Sequence, residues 1–179
     1  LMFLNLAVSA GGSMIFVNTI ILVKSSLELS EIAFSITMLV FGAGCIFAAI
    51  IIPYLSKEMT ASRIMLAGSS LLSIVFVALA FWLILFNFIW FVLLLAWFIS
   101  GFGYTLLLTP MGRVIRKVSS ADEFSQVYSA QFSLSHLCWL FMYPLSGYLM
   151  TISGGPFTLL TLALLIVCSN IIAAWHFRS

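Results

Sequence analysis

The chain has 179 residues, of which 64% are hydrophobic and 7% charged, with a formal net charge of +2 and a mean hydropathy of +1.26. A soluble domain carries roughly a quarter charged residues, so this composition excludes a water-soluble globule and makes lipid the main solvent. The small, scattered positive charge gives no basis for nucleic-acid binding. Cys45, Cys138 and Cys168 fall inside apolar runs without CxxC or Cys/His spacing, which predicts buried small hydrophobes rather than a disulfide or metal site. Residue 1 is Leu, and no charged segment precedes a short apolar core, so nothing reads as a cleaved signal peptide. The chain is expected to be a piece of something longer.

A membrane-crossing helix needs about twenty mostly apolar residues, and the pattern predicts six, giving an all-α, polytopic membrane protein in a single bundle over residues 1–179. The first covers about residues 1–23 and ends at KSSLELS. The second covers 31–53 and ends at YLSKEMTASR. The third, 64–86, is separated from the fourth, 89–111, by a turn signalled only by Asn87. After GRVIRKVSSADEF comes the fifth, 125–150, and after the turn TISGGP the sixth, 157–177. These continuous runs are too long for the alternating strands of a membrane barrel.

With this arrangement Lys57, Arg63, Arg113, Arg116, Lys117 and Arg178 collect on one side of the membrane, against Lys24 alone on the other. The basic side is the cytoplasm by the positive-inside rule, which places both termini there. The five acids, Glu28, Glu31, Glu58, Asp122 and Glu123, all lie in connections or at a span edge.

The stretch 129–144, SAQFSLSHLCWLFMYP, is unusually polar for a span. At ~100° per residue, Ser125, Gln126, Ser129, Ser133, His136, Tyr143 and Gly147 share one face. Val127, Ala130, Leu134, Leu137, Phe141 and Leu145 lie opposite, while Gln131 and Ser135 lie well round from the polar face, placed to bond neighbouring helices. The first span repeats the stripe with Asn5, Ser9, Gly12 and Thr19. Two such faces predict a shared polar cavity, with Asn5, Ser9, Gly12, Ser129, Ser133, His136 and Tyr143 as substrate-cavity candidates. The alternative is that each hydroxyl bonds its own helix backbone. His136, near the middle of its span, could relay a proton, bind a polar substrate group or act as interhelical glue. It lacks partners for a metal, His176 being forty residues away at the membrane edge. No metal or cofactor is expected.

Glycines recur as AGGS (10–13), FGAG (41–44), SGFGY (100–104) and TPMG (109–112). Gly11, Gly42, Gly44, Gly101, Gly103 and Gly147, with Pro110 and Pro144, are packing or hinge candidates, because small residues allow close helix approach and proline frees backbone bonds. Glycine interruptions in both the first and fourth spans fit a pair of inverted three-span repeats.

Six spans, cytoplasmic termini, a basic second connection and a polar fifth span resemble the C-terminal half of a major facilitator superfamily (MFS) transporter. GFGYTLLLTPMGRVIRK through SHLCWLFMYPLSGYL looks like the family's tenth and eleventh helices, and PYLSKEMTASR stands where the family repeats its G-x-L-x-D-R-x-G-R-R loop. Leu55 and Arg63 match that loop, whereas Pro53 replaces its glycine and Lys57-Glu58 stand where Asp-Arg would be. The resemblance implies one MFS-type bundle (a 3+3 inverted repeat) of a twelve-helix carrier. Its partners would be the lipid bilayer, an N-terminal half or a dimer mate, a small-molecule substrate and a coupling proton. It also implies that the first, second, fourth and fifth spans flank the cavity and that the third and sixth are peripheral. The expected function is secondary active transport by alternating access, proton- or ion-coupled, leaning to efflux, in a bacterial inner membrane. A channel or scaffold is the rival, and a membrane-embedded enzyme lacks the clustered acids or ligands it would need.

Overall fold

The structure is a computed structural model that describes residues 1–120 and 122–178, with the side chains of Val118 and Arg178 outside that description. The described residues form helices: α1 (Met2–Ile20), continued by a wide turn of π-helix (Ile21–Ser26), α2 (Glu31–Glu58), α3 (Ala61–Leu85), α4 (Trp90–Leu108), the short α5 (Met111–Val118) and α6 (Phe124–Arg178). Among the described residues five helical stretches are long and apolar enough to cross a membrane, α4 and α5 counting as one.

The boundaries follow local chemistry. Ser30 and Thr60 cap α2 and α3, their hydroxyls accepting from the amides of Ala33 and Arg63, each at 3.4 Å. The turn at Asn87 forms where predicted, and the Asn87 carbonyl accepts from Trp82 Nε1 at 3.3 Å. Pro53 removes one backbone donor without ending α2, which runs on to Glu58. The basic segment after Pro110 is a short helix rather than a loop, with proline at its N-cap.

α6 is the largest departure from the sequence expectation. Its helical backbone continues through TISGGP except at Gly154, where φ is 73° and ψ 179°. A straight helix of this length would measure about 80 Å at ~1.5 Å per residue, far more than a bilayer core of ~30 Å. The contacts show that the chain instead reverses. Asn18 bonds Ser146 and Leu22 lies by Gly155, whereas the Phe3 ring sits 6.0 Å from that of His176. The arm 124–153 therefore runs alongside α1 in the same direction, and the arm 155–178 returns antiparallel to it. Glycine accommodates the positive φ that lets the chain turn.

α1 lies in the interior, its residues from Leu4 to Ile15 almost all buried between α6 and α3. Trp97, Phe76, Leu72 and Met14 are fully buried and join α1, α3 and α4 in one core. Close crossings are built on glycine. A Cβ on Gly44 would overlap the Phe98 carbonyl, one on Gly101 would overlap that of Phe41, and Gly68 packs against Gly103. Large apolar side chains such as Leu39, Ile46, Phe91 and Leu95 stay exposed, as the lipid face of a membrane bundle requires.

Candidate functional site

α1 carries the most buried polar stripe, and most of it is satisfied locally. Ser9 and Ser13 donate to the carbonyls of Leu6 and Ala10 at 3.0 and 2.9 Å, and Thr19 donates to Ile15. Two residues reach other helices. Thr19 Oγ1 accepts from Trp97 Nε1 at 2.8 Å, and Asn18 Nδ2 donates to Ser146 Oγ at 2.8 Å and to the Ser146 carbonyl at 3.2 Å. These bonds close the bundle toward the end where α1 passes into its π turn. Asn5 lies nearer the opposite end, and unlike Asn18, whose Oδ1 alone is unpartnered, it leaves its amide donor unused. It is 2% exposed, and its Nδ2 has no hydrogen-bond partner. A buried donor without an acceptor costs about 1–3 kcal/mol, so it marks a place where a further group belongs.

Asn5 lines a cavity of about 460 Å³ enclosed by α1, α4, α5 and the first arm of α6. The α6 arm supplies Tyr128, Gln131, Phe132, Ser135, His136 and Trp139, and the α4–α5 junction supplies Tyr104, Thr109 and Gly112. Among the described residues no Asp, Glu, Lys or Arg lines it. The walls are aromatic, and rings behind them hold them in place: Trp139 packs at a tilt against Tyr143 at 4.9 Å, and Phe16 bridges the Trp139 and Tyr104 rings at 6.2 Å each.

The His136 ring is fixed by its own helix. Its Nδ1 lies 2.9 Å from the Phe132 carbonyl, and the ring centroid lies 4.1 Å from that of Phe132. A carbonyl only accepts, so Nδ1 carries a proton and donates to it. Ser135 donates to the same carbonyl at 2.7 Å. The cavity therefore offers donors at Asn5 and the tyrosine hydroxyls together with the imidazole of His136, with flat apolar faces between them. Among the described residues no group of three or more His, Cys, Asp or Glu could hold a metal ion.

The sequence model of the Major Facilitator Superfamily matches residues 1–179. The chain belongs to the Major Facilitator Superfamily. No curated protein matches it. Members of this superfamily are membrane transporters, and the apolar helices and the family together make the chain an integral membrane protein.

In this superfamily member the sequence-derived cavity residues separate into groups. Asn5 and His136 line the cavity. Gly12 lies directly beneath Trp139, where a Cβ would overlap the indole, so it seats the cavity wall. Tyr143 packs at a tilt against that same indole, and Ser9 is buried on its own backbone. Ser129 and Ser133 are exposed on the α6 arm, outside the lining. Gln131 and Ser135, which the helical wheel turns away from His136, are lining residues, and Gln131 Nε2 also approaches Met111 Sδ at 3.4 Å. The wheel gives the angle between residues but not which side faces α1 and α4. The buried line Met142, Ser146 and Met150 sets that orientation. Tyr104, Thr109 and Tyr128 are lining residues that the sequence reading left out; the interruption SGFGY was noted for its glycines alone.

The hinge and packing candidates divide likewise. Gly11 packs under Leu72, Gly44 and Gly101 join α2 to α4, Gly103 meets α3, and Gly147 faces Val17. Gly42 has nothing near it. Pro110 separates α4 from α5, and Pro144 lies within continuous helix. The basic residues gather at the end shared by Leu1 and Phe177. Arg113 donates to Ser56, Arg116 lies 5.5 Å from the Phe124 ring, Lys57 lies 5.7 Å from that of Tyr54, and Arg63 and Lys117 line one pocket. Lys24 is paired with Glu31 at 2.9 Å at the other end.

Proposed function

We propose that the chain forms one six-helix bundle of a secondary transporter, in which the two arms of α6 count as separate crossings. It moves a small, flat, hydrogen-bonding organic molecule by alternating access, outward and coupled to a proton or ion. The observation that carries this reading is the cavity at Asn5: an aromatic-walled space with an unpartnered buried donor and no fixed charge. Such a site binds by stacking and a few directed hydrogen bonds.

The packing supports a 3+3 repeat. When the first three crossings are exchanged for the last three, the pair α1 with the first α6 arm maps onto α4 with α2. The pair α3 with α4 maps onto the second α6 arm with α1, and α3 with the second arm maps onto itself. All these pairs pack together. Inverted repeats of this kind accompany alternating access. The basic end faces the cytoplasm of a bacterial inner membrane by charge asymmetry. The exposed polar face at Gln126, Ser129 and Ser133 is unsuited to lipid, which supports a second bundle, an N-terminal half or a dimer mate, covering it.

The test is transport in everted membrane vesicles carrying the protein, with a panel of labelled small aromatic compounds. Saturable accumulation that a protonophore abolishes, together with exchange against unlabelled compound, is the expected result. Asn5→Ala should weaken that compound's apparent affinity about tenfold, the worth of a lost buried hydrogen bond. Flux that is linear in concentration and shows no exchange would assign a channel and overturn the proposal.

A further inference from the structure

At the basic end lies a second recess, separate from the aromatic cavity and sharing no residue with it. It sits where the start of α3, the end of α6 and the short helix α5 meet, and it has a volume of about 460 Å³. Arg63 and Lys117 enter it from different elements, 54 positions apart in sequence, with the hydroxyl residues Thr60 and Ser62 beside them. Among the described residues neither cation has a carboxylate partner; the only ion pair there is Lys24–Glu31. Glu58, five residues before Arg63, and Asp122, five residues after Lys117, are exposed and do not line the recess.

The rest of the lining is apolar. Leu66 and Phe177 form part of the wall, and both belong to the membrane-crossing stretches of α3 and α6. A free phosphate would satisfy the two cations and leave that wall uncovered. An amphiphile with a phosphate head and an acyl body covers both. The depth is suitable too, because the recess opens where α3 begins and α6 ends, at the level of lipid headgroups.

We propose that this recess is a binding site for an anionic phospholipid, whose phosphate is held by Arg63 and Lys117 and whose glycerol and upper acyl chain lie on Leu66 and Phe177. Basic recesses between helices on the cytoplasmic side suit such headgroups, with each cation contributing about fivefold in affinity. The inference does not depend on the transported substrate.

The test is native mass spectrometry of the detergent-solubilised full chain, titrated with dioleoyl-phosphatidylglycerol, dioleoyl-phosphatidylcholine or glycerol 3-phosphate. One phosphatidylglycerol should bind saturably, in preference to phosphatidylcholine, and glycerol 3-phosphate should not displace it at equal concentration. The double variant Arg63→Ala/Lys117→Ala should weaken binding roughly thirtyfold, and Lys57→Ala, a cation at the same end outside the recess, should leave it unchanged. If the double variant does not fold, Lys117→Ala alone, on a short exposed helix, should weaken binding about fivefold. Equal binding of the two lipids, an equal loss in Lys57→Ala, or full displacement by glycerol 3-phosphate would each overturn the proposal.

Discussion

The FGAG segment of α2 holds two glycines, two residues apart, for which the structure predicts opposite responses to alanine. At Gly44 an added Cβ would overlap the Phe98 carbonyl oxygen and lie 2.9 Å from its carbon and 3.1 Å from the Phe102 amide. All three contacts are backbone, so no side chain can swing aside and α2 must move away from α4. Overpacking of this kind costs about 1–3 kcal/mol. At Gly42 nothing lies within 4 Å, and alanine there gains up to roughly 1 kcal/mol of helix propensity. Gly101→Ala should behave like Gly44→Ala, since its Cβ would meet Phe41 and Cys45 backbone across the same crossing. Because one separation of the helices relieves both clashes, Gly44→Ala/Gly101→Ala should cost less than the sum of the single changes. Reversible unfolding in mixed micelles at increasing mole fraction of denaturing detergent measures each difference. Equal destabilisation by Gly42→Ala and Gly44→Ala, or additivity in the double variant, would refute the packing account of the α2–α4 crossing.

Further expectations follow from single contacts. Gly154→Ala places a side chain in open space at positive φ and extended ψ, a region essentially reserved for glycine, so it should cost about 1–3 kcal/mol from backbone strain alone, read as a lowered unfolding midpoint. Trp97→Phe and Thr19→Val remove the two ends of one buried hydrogen bond, and a double-mutant cycle should give a coupling of roughly 0.6–1.7 kcal/mol. A coupling of zero would show that the bond does not hold α1 to α4. His136→Ala removes an imidazole that lines the cavity and should change the pH dependence of transport; an unchanged profile would leave the ring only a packing role.

Composition and periodicity were enough to give an all-helical membrane chain with a turn at Asn87, because a membrane span is set by its length in apolar residues. Where prediction and structure part, backbone geometry decides. Pro53 sits well inside α2, since losing one donor does not outweigh the rest of the helix. The TISGGP turn narrows to a single residue, Gly154, because one positive φ reverses the chain. The polar stripe of the fifth span was visible as a stripe, but its rotation depends on which residues α1 presents. Gln131 and Ser135 line the cavity because Ser146, fifteen residues beyond Gln131, is held by Asn18. Tyr104 could not be recognised without knowing that α4 crosses α1 beside Phe16.

The central claim is that a water-accessible cavity opens toward the basic end between α1, α4 and the first arm of α6, with the opposite end closed by the Asn18–Ser146 and Thr19–Trp97 bonds. Ser135→Cys, made after replacing Cys45, Cys138 and Cys168 with serine, tests it through sided labelling with a membrane-impermeant maleimide in oriented vesicles. Leu140→Cys, on the exposed apolar side of the same arm, is the reference. The account predicts rapid labelling of Ser135→Cys from the cytoplasmic side and little at Leu140→Cys. Labelling of neither position from either side, or of both at the same rate, would contradict it.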